Sequence, residues 1–427
     1  MNEDLASIDP LAPLPRLRQL EAIPVDQDGE RRVVLRDPLE VAEGMLVVPV
    51  PVYYMTAQLD GQSSIRDLQE DFTSRFGQVV SAEQVAEMVQ KLDDGLFLDT
   101  PRFHEAFQSV QKAFFDAEVR PAILAGSAYP AEAGEALEAV DGFFSHSRGP
   151  GPLVEGVNTG PRQAIRAIFS PHYDTRRGGF MLAHAYLALA RAPDVDRVVV
   201  LGTNHQPSTE RYTATRKRFA TPFGPLSVDE TFLDHIEHHY AGDLYKDEFS
   251  HRREHSVEFQ ALMLAYVWKK LGRGEPPPIV PVLVGSFHDL FDSNPMDDLR
   301  VKSFVAGFEA AEAEEGGTTI IVASGDLAHV GLRFGDPDPM EGPFLETVKA
   351  EDRTLMETLA AGEALSFHHF IARNRDQYHV CGYPCAYTML AAIRGEVDGR
   401  GGGTILDYEM AVDPDGAVSY CAIAFPA

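Results

Sequence analysis

The sequence predicts an α/β domain with a mainly parallel sheet flanked by helices, preceded by a small winged-helix-like α+β domain. From about residue 119 onwards, apolar strands alternate with helices, which is the pattern of a parallel sheet covered by helices. The length of 427 residues also exceeds what one ordinary hydrophobic core accommodates. We therefore predict a small domain at 1–103, a connecting helix at 104–118 and the α/β domain at 119–427.

The small domain is predicted from short strands followed by two helices. The segments RRVVLRDP and GMLVVPVPVYYMTAQLDG alternate as short strands do. The segments SSIRDLQEDFTSRF and SAEQVAEMVQKLDD begin with serine, a residue that caps helices, and continue with apolar residues at helical spacing. A short strand is expected at GLFLD, directly after the second helix. The order helix, helix, strand favours a winged-helix-like fold.

Composition and charge limit the class of partner. The chain has 37 basic and 65 acidic residues and a formal charge of -28, so a nucleic acid or an anionic membrane surface would be repelled. No segment approaches the ~20 apolar residues of a membrane-spanning helix. The first residues lack the basic and apolar regions of a signal peptide. We expect a cytoplasmic protein that binds neither nucleic acid nor membranes.

Three predicted strands of the α/β domain end in a side chain suited to metal binding or acid–base chemistry. They are QAIRAIFSPH, which ends at His172, DRVVVLGTNH, which ends at His205, and TTIIVASGD, which ends at Asp326. His329 follows three residues after Asp326. Because ligands bind at the carboxyl ends of parallel strands, these residues are expected to line one pocket. PPIVPVLVGS is a further strand, and helices are predicted at GGFMLAHAYLALARA, SVEFQALMLAYVWKKLG and PCAYTMLAAIRG.

Two more segments contribute candidates for the same pocket. In RREHSVEF, His255 and Glu258 are three residues apart and are expected to share a helix face. Cys381, in YHVCGYPC, precedes a helix whose N-terminus would favour the thiolate. Two imidazoles and one anionic ligand can hold a divalent metal and leave positions open for substrate or O2.

Structural interpretations compete with these assignments. A single histidine at a strand end is often a hydrogen-bonded structural residue. Cys385 is expected to pack in a helix rather than to act as a redox partner. The histidines of DHIEHHY lie in a charged amphipathic helix, where a solvated face is the simpler interpretation; they are His235, His238 and His239.

Several segments between residue 119 and the end resemble the Memo family, also called AmmeMemoRadiSam system protein B. They include, in order, LGTNH, EHSVEFQ, SGDLAHVG and CGYPCAYTMLAAI. The fold of that family is similar to class III extradiol ring-cleaving dioxygenases, which use nonhaem iron. The resemblance implies Fe(II), with copper or zinc as alternatives, and metal ligands at His172, His205 and Cys381. It also implies catalytic positions at His255, His329 and Asp326.

One segment departs from the family pattern. The family usually reads Pro-His-Ala-Gly-Tyr where this chain has Pro171-His172-Tyr173-Asp174-Thr175. The histidine is retained, but the larger and polar residues after it are expected to reshape the mouth of the pocket. The substrate is therefore expected to differ from that of relatives.

The small domain resembles PqqD-type peptide-binding domains through LDGQSSIRDLQEDFTSRFG and SAEQVAEMVQKLDDGLFL. This resemblance implies a peptide or a radical-SAM enzyme as partner, recognised by strand addition. A structural cap or a dimerisation module is the alternative role for this domain.

Three functional hypotheses follow. The first is an oxidoreductase that acts with O2 on an aromatic or peptide-linked substrate, with His255 or His329 as general acid or base and Asp326 orienting an imidazole. The second is a metal-binding adaptor or scaffold without turnover, working with a radical-SAM or peptide partner. The third is a redox-regulated thiol protein, which requires the sulfurs of Cys381 and Cys385 to lie within bonding distance.

Overall fold

The computed structural model describes residues 9–27, 29–42, 44–154, 163–192, 194–336, 340–393 and 402–427. The chain divides into two compact units, Met1–Asp116 and Ala117–Ala427. Within the described ranges, no helix combines the length and the apolar character that crossing a membrane needs.

The first unit is a three-stranded antiparallel sheet followed by four helices. The strands, in the spatial order β1-β2-β3, are β1 (Glu21–Gln27), β2 (Glu30–Arg36) and β3 (Met45–Pro49). The helices are α1 (Val50–Ala57), α2 (Ile65–Phe76), α3 (Ala82–Asp94) and α4 (Pro101–Asp116).

Both helices predicted in this unit are present, and both begin with a reciprocal cap. At α2, Ser64 and Asp67 exchange side-chain and backbone hydrogen bonds, and Ser81 and Gln84 do the same at α3. Each reciprocal cap supplies hydrogen-bond partners for backbone N–H groups that would otherwise lack them in the first turn of the helix. The apolar faces of the two helices then share one hydrophobic core, which includes Phe72 of α2.

Three features of the first unit differ from the prediction. The segment that begins at Val50 is a helix rather than a strand, with Pro51 in its first turn, where the fixed φ of proline suits a helix start. The strand expected at GLFLD is reduced to one bridge between Leu98 and Leu17. Helix α4 begins at Pro101 and belongs to the first unit. The winged-helix arrangement is therefore not confirmed.

The second unit is built on an eight-stranded sheet with the order β11-β13-β5-β10-β6-β9-β7, and β12 pairs with β13. The strands are β5 (Ile165–Ser170), β6 (Arg197–Thr203), β7 (Tyr212–Ala214), β9 (Ile279–Val284), β10 (Thr319–Ser324), β11 (His329–Val330), β12 (Thr404–Asp413) and β13 (Gly416–Pro426). A separate two-stranded sheet joins β4 (Val119–Arg120) to β8 (Arg218–Phe219).

Helices cover both faces of this sheet. Successive side chains of a strand point to opposite faces, so neighbouring residues of β5 belong to two different hydrophobic cores. Ile168 lies in one core, and Ala167 and Phe169 lie in the other. The core that contains Ile168 includes residues of α5 (Ala133–Ser145), α6 (Thr175–Ala190) and α8 (Ser256–Leu271). The other includes residues of α7 (Glu230–His239), α9 (Leu299–Glu315), α10 (Gly342–Ala360), α11 (Ala364–Ala372) and α12 (Tyr383–Ile393).

The sheet is mixed rather than mainly parallel. Its four central strands, β5, β10, β6 and β9, are parallel to one another. Strand β7 is antiparallel to β9, and β13 is antiparallel to β5, β11 and β12. A connection of only two residues, Pro414 and Asp415, separates β12 from β13, and so short a link permits only antiparallel pairing.

We expect a chain that starts at Ala117 to fold without the first unit, because the second unit has its own two cores. Circular dichroism and thermal melting of the truncated chain should match the corresponding transition of the full-length protein, and its metal content should be unchanged. Insoluble truncated protein, together with resistance of the full-length chain to limited proteolysis between residues 100 and 120, would show that the two units depend on each other.

Candidate metal centre

Three neighbouring parallel strands bring chemically active side chains to one edge of the sheet. Strand β5 ends at Ser170, and His172 follows two residues later. In the same way, His205 lies two residues after the end of β6 at Thr203, and Asp326 two residues after the end of β10 at Ser324. Strand β10 lies between β5 and β6, and its final residue pairs with Ser170. The strand-end pattern in the sequence therefore corresponds to one cluster in space.

The proposed ligands His172, His205 and Cys381 lie within reach of a single ion. Their ligand atoms are all within 4.8 Å of one another. The Nε2 atom of His172 is 3.3 Å from the Sγ atom of Cys381. Two ligand atoms that share an ion, at metal–nitrogen distances of about 2.0–2.1 Å and a metal–sulfur distance of about 2.3 Å, are separated by roughly 3–3.7 Å. The donor set and the separation of His172 and Cys381 therefore fit a divalent metal.

His172 is held as a neutral imidazole. It is buried, its backbone N–H donates to Oδ1 of Asp326 at 3.1 Å, and its Nδ1 atom is 3.4 Å from the hydroxyl of Ser324. Burial, followed by the neighbouring imidazoles of His255 and His205, lowers the pKa of His172 well below its ordinary value. Neutral imidazole is the form that binds metals, so this environment favours a ligand role.

Cys381 lies on the loop between α11 and α12. The backbone N–H of Asp326 donates to its Sγ atom at 3.2 Å, and the hydroxyl of Thr203 donates to its carbonyl oxygen at 3.1 Å. Burial, with a further contribution from Asp326, raises the pKa of the Cys381 thiol well above its ordinary value. In the metal-free protein, burial therefore outweighs any stabilisation of the thiolate by the helix N-terminus. A cation at the sulfur would supply the missing compensation.

Glu254 orients two imidazoles at once, and the sequence reasoning missed it. Its carboxylate accepts the backbone N–H of His205 at 2.8 Å and lies 3.0 Å from Nδ1 of that ring and 3.2 Å from Nδ1 of His255. The two rings stack at 4.9 Å with an interplanar angle of 16°. Burial alone would raise the pKa of Glu254, but the two imidazoles hold it well below its ordinary value. This carboxylate fixes the tautomer and direction of both rings.

Glu258, which shares the helix face predicted for His255, does not reach the centre. Its buried carboxylate pairs with Arg120 and accepts hydrogen bonds from the hydroxyl of Tyr129 at 2.5 Å and the backbone N–H of Leu124 at 2.9 Å. The assignment of Glu258 to the pocket is therefore wrong. The signal that could have identified Glu254 is its position directly before His255 in the segment REHS.

Asp326 and His329 form the other wall of the cluster. Burial raises the pKa of Asp326 to about 7, although backbone N–H groups of His172 and Tyr173 oppose this effect. The Nδ1 atom of His329 lies 3.0 Å from the carbonyl of Leu327, so this nitrogen carries the hydrogen and Nε2 keeps its lone pair. Burial also lowers the pKa of His329 to about 4. Asp326, His329 and Cys381 place their ligand atoms within 4.8 Å of one another.

Strand β13 holds the loop that carries Asp326 and His329. The backbone N–H of Leu327 donates to the carbonyl of Ser419 at 2.8 Å, and the N–H of Ala328 donates to the hydroxyl of Ser419 at 2.9 Å. The N–H of Ser419 donates back to the carbonyl of Ala328 at 2.9 Å. One serine of β13 therefore fixes the backbone between the two wall residues.

Other candidate residues from the sequence lie outside the cluster. His235 is on α7 and contacts Glu315 at 3.0 Å, and the groups of potential metal ligands among the described residues include none of the three histidines of that helix. Cys381, Cys385 and Cys421 are all free thiols. The bond that the thiol-redox hypothesis requires between Cys381 and Cys385 is thus not present.

Comparison with known proteins identifies similar chains. Residues 120–424 match the family model described as Memo-like protein. The chain is 29% identical over 316 residues to a MEMO1 family protein of Methanopyrus kandleri, covering 72% of this chain and 99% of the relative. It is 25% identical over 311 residues to a MEMO1 family protein of Thermus thermophilus, covering 73% of this chain and 85% of the relative.

A third relative aligns over a longer stretch. The MEMO1 family protein of Aquifex aeolicus is 23% identical over 397 residues, which covers 92% of this chain and 96% of that protein. An alignment of this length exceeds the second unit, so it extends into the first. The match of the family model, which spans nearly all of the second unit, shows that this chain belongs to the Memo family.

Proposed function

We propose that this protein is a metal-dependent oxidoreductase that acts with O2 on an aromatic or peptide-linked substrate. The observation that carries the proposal is the convergence of His172, His205 and Cys381 on one edge of the sheet, with ligand atoms within 4.8 Å of one another. These three residues would hold a divalent metal, with Fe(II) as the first choice. When bound, such a metal supplies a Lewis acid and a redox centre with open positions.

Solvent reaches the centre from the side of His205 and His255. The side chains of these residues are 35% and 34% exposed, whereas those of His172 and Asp326 are buried. A substrate would therefore approach over the stacked pair of rings. The departure from the family pattern begins at Tyr173, next to the buried ligand, and is expected to alter which substrate fits.

His255 is the first choice for a general base. Its Nδ1 atom faces Glu254, which remains ionised and accepts the hydrogen there, so Nε2 is left to take a proton from a substrate. His329 is the second choice, because its Nδ1–H also faces a carbonyl and leaves Nε2 free to accept. Asp326 would act through His172, whose backbone N–H it accepts.

We expect His255→Ala and His329→Ala to bind metal nearly as well as the wild type and to lose turnover. Removal of a proton-transfer group typically lowers the rate by about 10²–10⁴-fold, whereas loss of an orienting group lowers metal affinity or activity by about 10–100-fold. Metal content and O2 uptake measure the two effects separately. His235→Ala is the control and should retain both, because this histidine lies outside the cluster. A variant that loses its metal would instead identify its histidine as a ligand.

The experiment that tests the proposed function begins with anaerobic purification and elemental analysis. We expect about one metal ion per chain, because the groups of potential ligands share His205 or Cys381 with the proposed set. O2 uptake is then measured with catechols and with peptides that contain tyrosine, with the metal-loaded and the chelator-treated protein side by side. Metal-loaded protein that consumes no O2 with any of these substrates would contradict an oxidoreductase.

A second candidate function, a metal-binding adaptor, is supported by the first unit. Strand β1 lies at the edge of its sheet, and most of its residues are exposed, as the addition of a peptide strand requires. In this case the partner would be a peptide or a radical-SAM enzyme, recognised by a PqqD-like unit. A protein that holds metal, takes up no O2 and loses peptide binding when residues 1–116 are removed would favour the adaptor.

A further inference from the structure

A buried carboxylate accepts a backbone N–H at or beside each proposed ligand. Asp326 accepts the N–H of His172 at 3.1 Å, and Glu254 accepts the N–H of His205 at 2.8 Å. The third case concerns Cys381, because Asp376 accepts the N–H of Val380 at 2.9 Å. The first two carboxylates belong to the cluster already described, whereas Asp376 lies outside it.

The backbone of the Cys381 loop is strained and needs such support. Arg375, Asp376 and His379 have φ values of 55°, 52° and 51°, in the left-handed region that residues other than glycine adopt rarely. Conformations of this kind cost free energy and persist where surrounding contacts hold them. Three of them within five residues, directly before a proposed ligand, indicate that the loop is held in place for that ligand.

Asp376 ties the loop to a neighbouring part of the sheet. One carboxylate oxygen accepts the N–H of Val380, and the other lies 2.9 Å from Nε2 of His288. His288 begins a short 3-10 helix, His288–Leu290, which follows strand β9. The next residue of that helix, Asp289, pairs with Arg211 at 2.6 Å. The loop is thereby anchored beyond the end of β9.

Other hydrogen bonds tie the loop to the ends of β6 and β10; at β6, the hydroxyl of Thr203 donates to the carbonyl of Cys381 at 3.1 Å. The N–H of Gly382 donates to the carbonyl of Asp326 at 3.0 Å, and the N–H of His329 donates to the carbonyl of Tyr378 at 2.7 Å. These two bonds fix the loop against the end of β10. The contact between Asp376 and His288 adds an anchor beyond the end of β9, and together these contacts define where the sulfur of Cys381 lies.

We propose that Asp376 is a positioning residue for Cys381, with His288 as its anchor to the sheet. Asp376 does for the cysteine what Glu254 does for His205: it holds the backbone from which the ligand projects. The proposal rests on the proposed metal-binding role of Cys381.

Two variants at position 376 separate the carboxylate from the backbone conformation. Asp376→Gly removes the carboxylate and tolerates a φ of 52° without strain. Asp376→Asn keeps an acceptor for the N–H of Val380. Arg375→Gly is the matched control, since it introduces glycine at a φ of 55° in the same loop and removes only an exposed ion pair with Asp292.

Two readouts apply to each variant. One is anaerobic titration with Co(II), followed through the thiolate-to-cobalt charge-transfer absorption. The other is the rate at which the thiol of Cys381 is alkylated in metal-free protein, which is distinguishable because Cys385 and Cys421 are fully buried. We expect Asp376→Gly to weaken Co(II) binding by about 10–100-fold and to accelerate alkylation. Asp376→Asn and Arg375→Gly should stay close to the wild type.

The outcomes decide separately on the two proposals. An Asp376→Gly protein with wild-type Co(II) affinity and alkylation rate overturns the positioning role. A wild-type protein without the charge-transfer absorption overturns the metal-binding proposal. The alkylation rates of the variants then still test whether Asp376 positions Cys381. Should Asp376→Gly fail to fold, His288→Ala replaces it, because that side chain is 58% exposed. Unchanged affinity and alkylation in His288→Ala would then overturn the proposal.

Discussion

Replacing His172, His205 or Cys381 by alanine, one at a time, is expected to reduce bound metal from the wild-type level to almost none. Each residue supplies one of three donors, so its loss should exceed the roughly 10–100-fold loss of affinity that follows removal of an orienting partner. The measurement is elemental analysis after anaerobic purification, with circular dichroism to show that each variant is folded.

Cys385→Ala is the matched control for the cysteine, because this neighbouring thiol is buried and lies outside every group of potential ligands among the described residues. We expect it to keep its metal. Survival of metal occupancy in two of the three ligand variants would show that the ion, if any, is bound elsewhere.

Glu258→Gln is expected to destabilise the second unit by about 3–5 kcal/mol, the usual cost of removing one partner of a buried ion pair. The side chains of Arg120 and Glu258 are 0% and 1% exposed, so the substitution would leave a buried guanidinium without its counter-ion. Arg120 also donates to the backbone carbonyls of His251 at 3.0 Å and Glu254 at 2.8 Å. Urea unfolding measures the loss, and we expect the orientation of Glu254 to suffer with it.

Two controls accompany this measurement. Asp292→Ala removes the exposed pair with Arg375 and should change the free energy of unfolding by no more than about 1 kcal/mol. The double change Arg120→Met with Glu258→Leu removes both charges but leaves the carbonyls of His251 and Glu254 without their donor, so it should recover only part of the lost stability. A loss below about 1 kcal/mol for Glu258→Gln would show that the pair contributes little.

The cluster could be predicted from the sequence because its geometry follows from strand periodicity. Strands β5, β6 and β10 are buried along their whole lengths, and such apolar runs are visible without knowledge of the fold. A polar residue two positions after each run must then emerge at the edge of the sheet. His172, His205 and Asp326 were identifiable for that reason, although their roles remain predictions.

The partners of these residues could not be read from local patterns. Glu254 and Glu258 both lie close to His255 in the sequence, and helical spacing favours Glu258 as its partner. That choice is wrong, because the carboxylate of Glu258 pairs with Arg120, which lies 138 residues away along the chain. The antiparallel edge was missed for the same reason, since β13 pairs with β5 far from it in sequence. Likewise, the alternation in GMLVVPVPVYYMTAQLDG suggested short strands where the fold places α1 from Val50 onwards.

The hydrogen bonds from Ser419 to the loop of Asp326 and His329 have a consequence for biosynthesis. At about 5–20 residues per second, the ribosome adds the roughly 90 residues between Asp326 and Ser419 in about 5–20 s. During that interval a nascent chain already carries His172, His205 and Asp326, whereas β13 has not yet been made to hold the wall of the centre. Metal acquired early in that time would lack the third proposed donor, Cys381, and metal acquired later would meet a wall that β13 does not yet hold, so loading of the correct ion is expected to follow translation of β13.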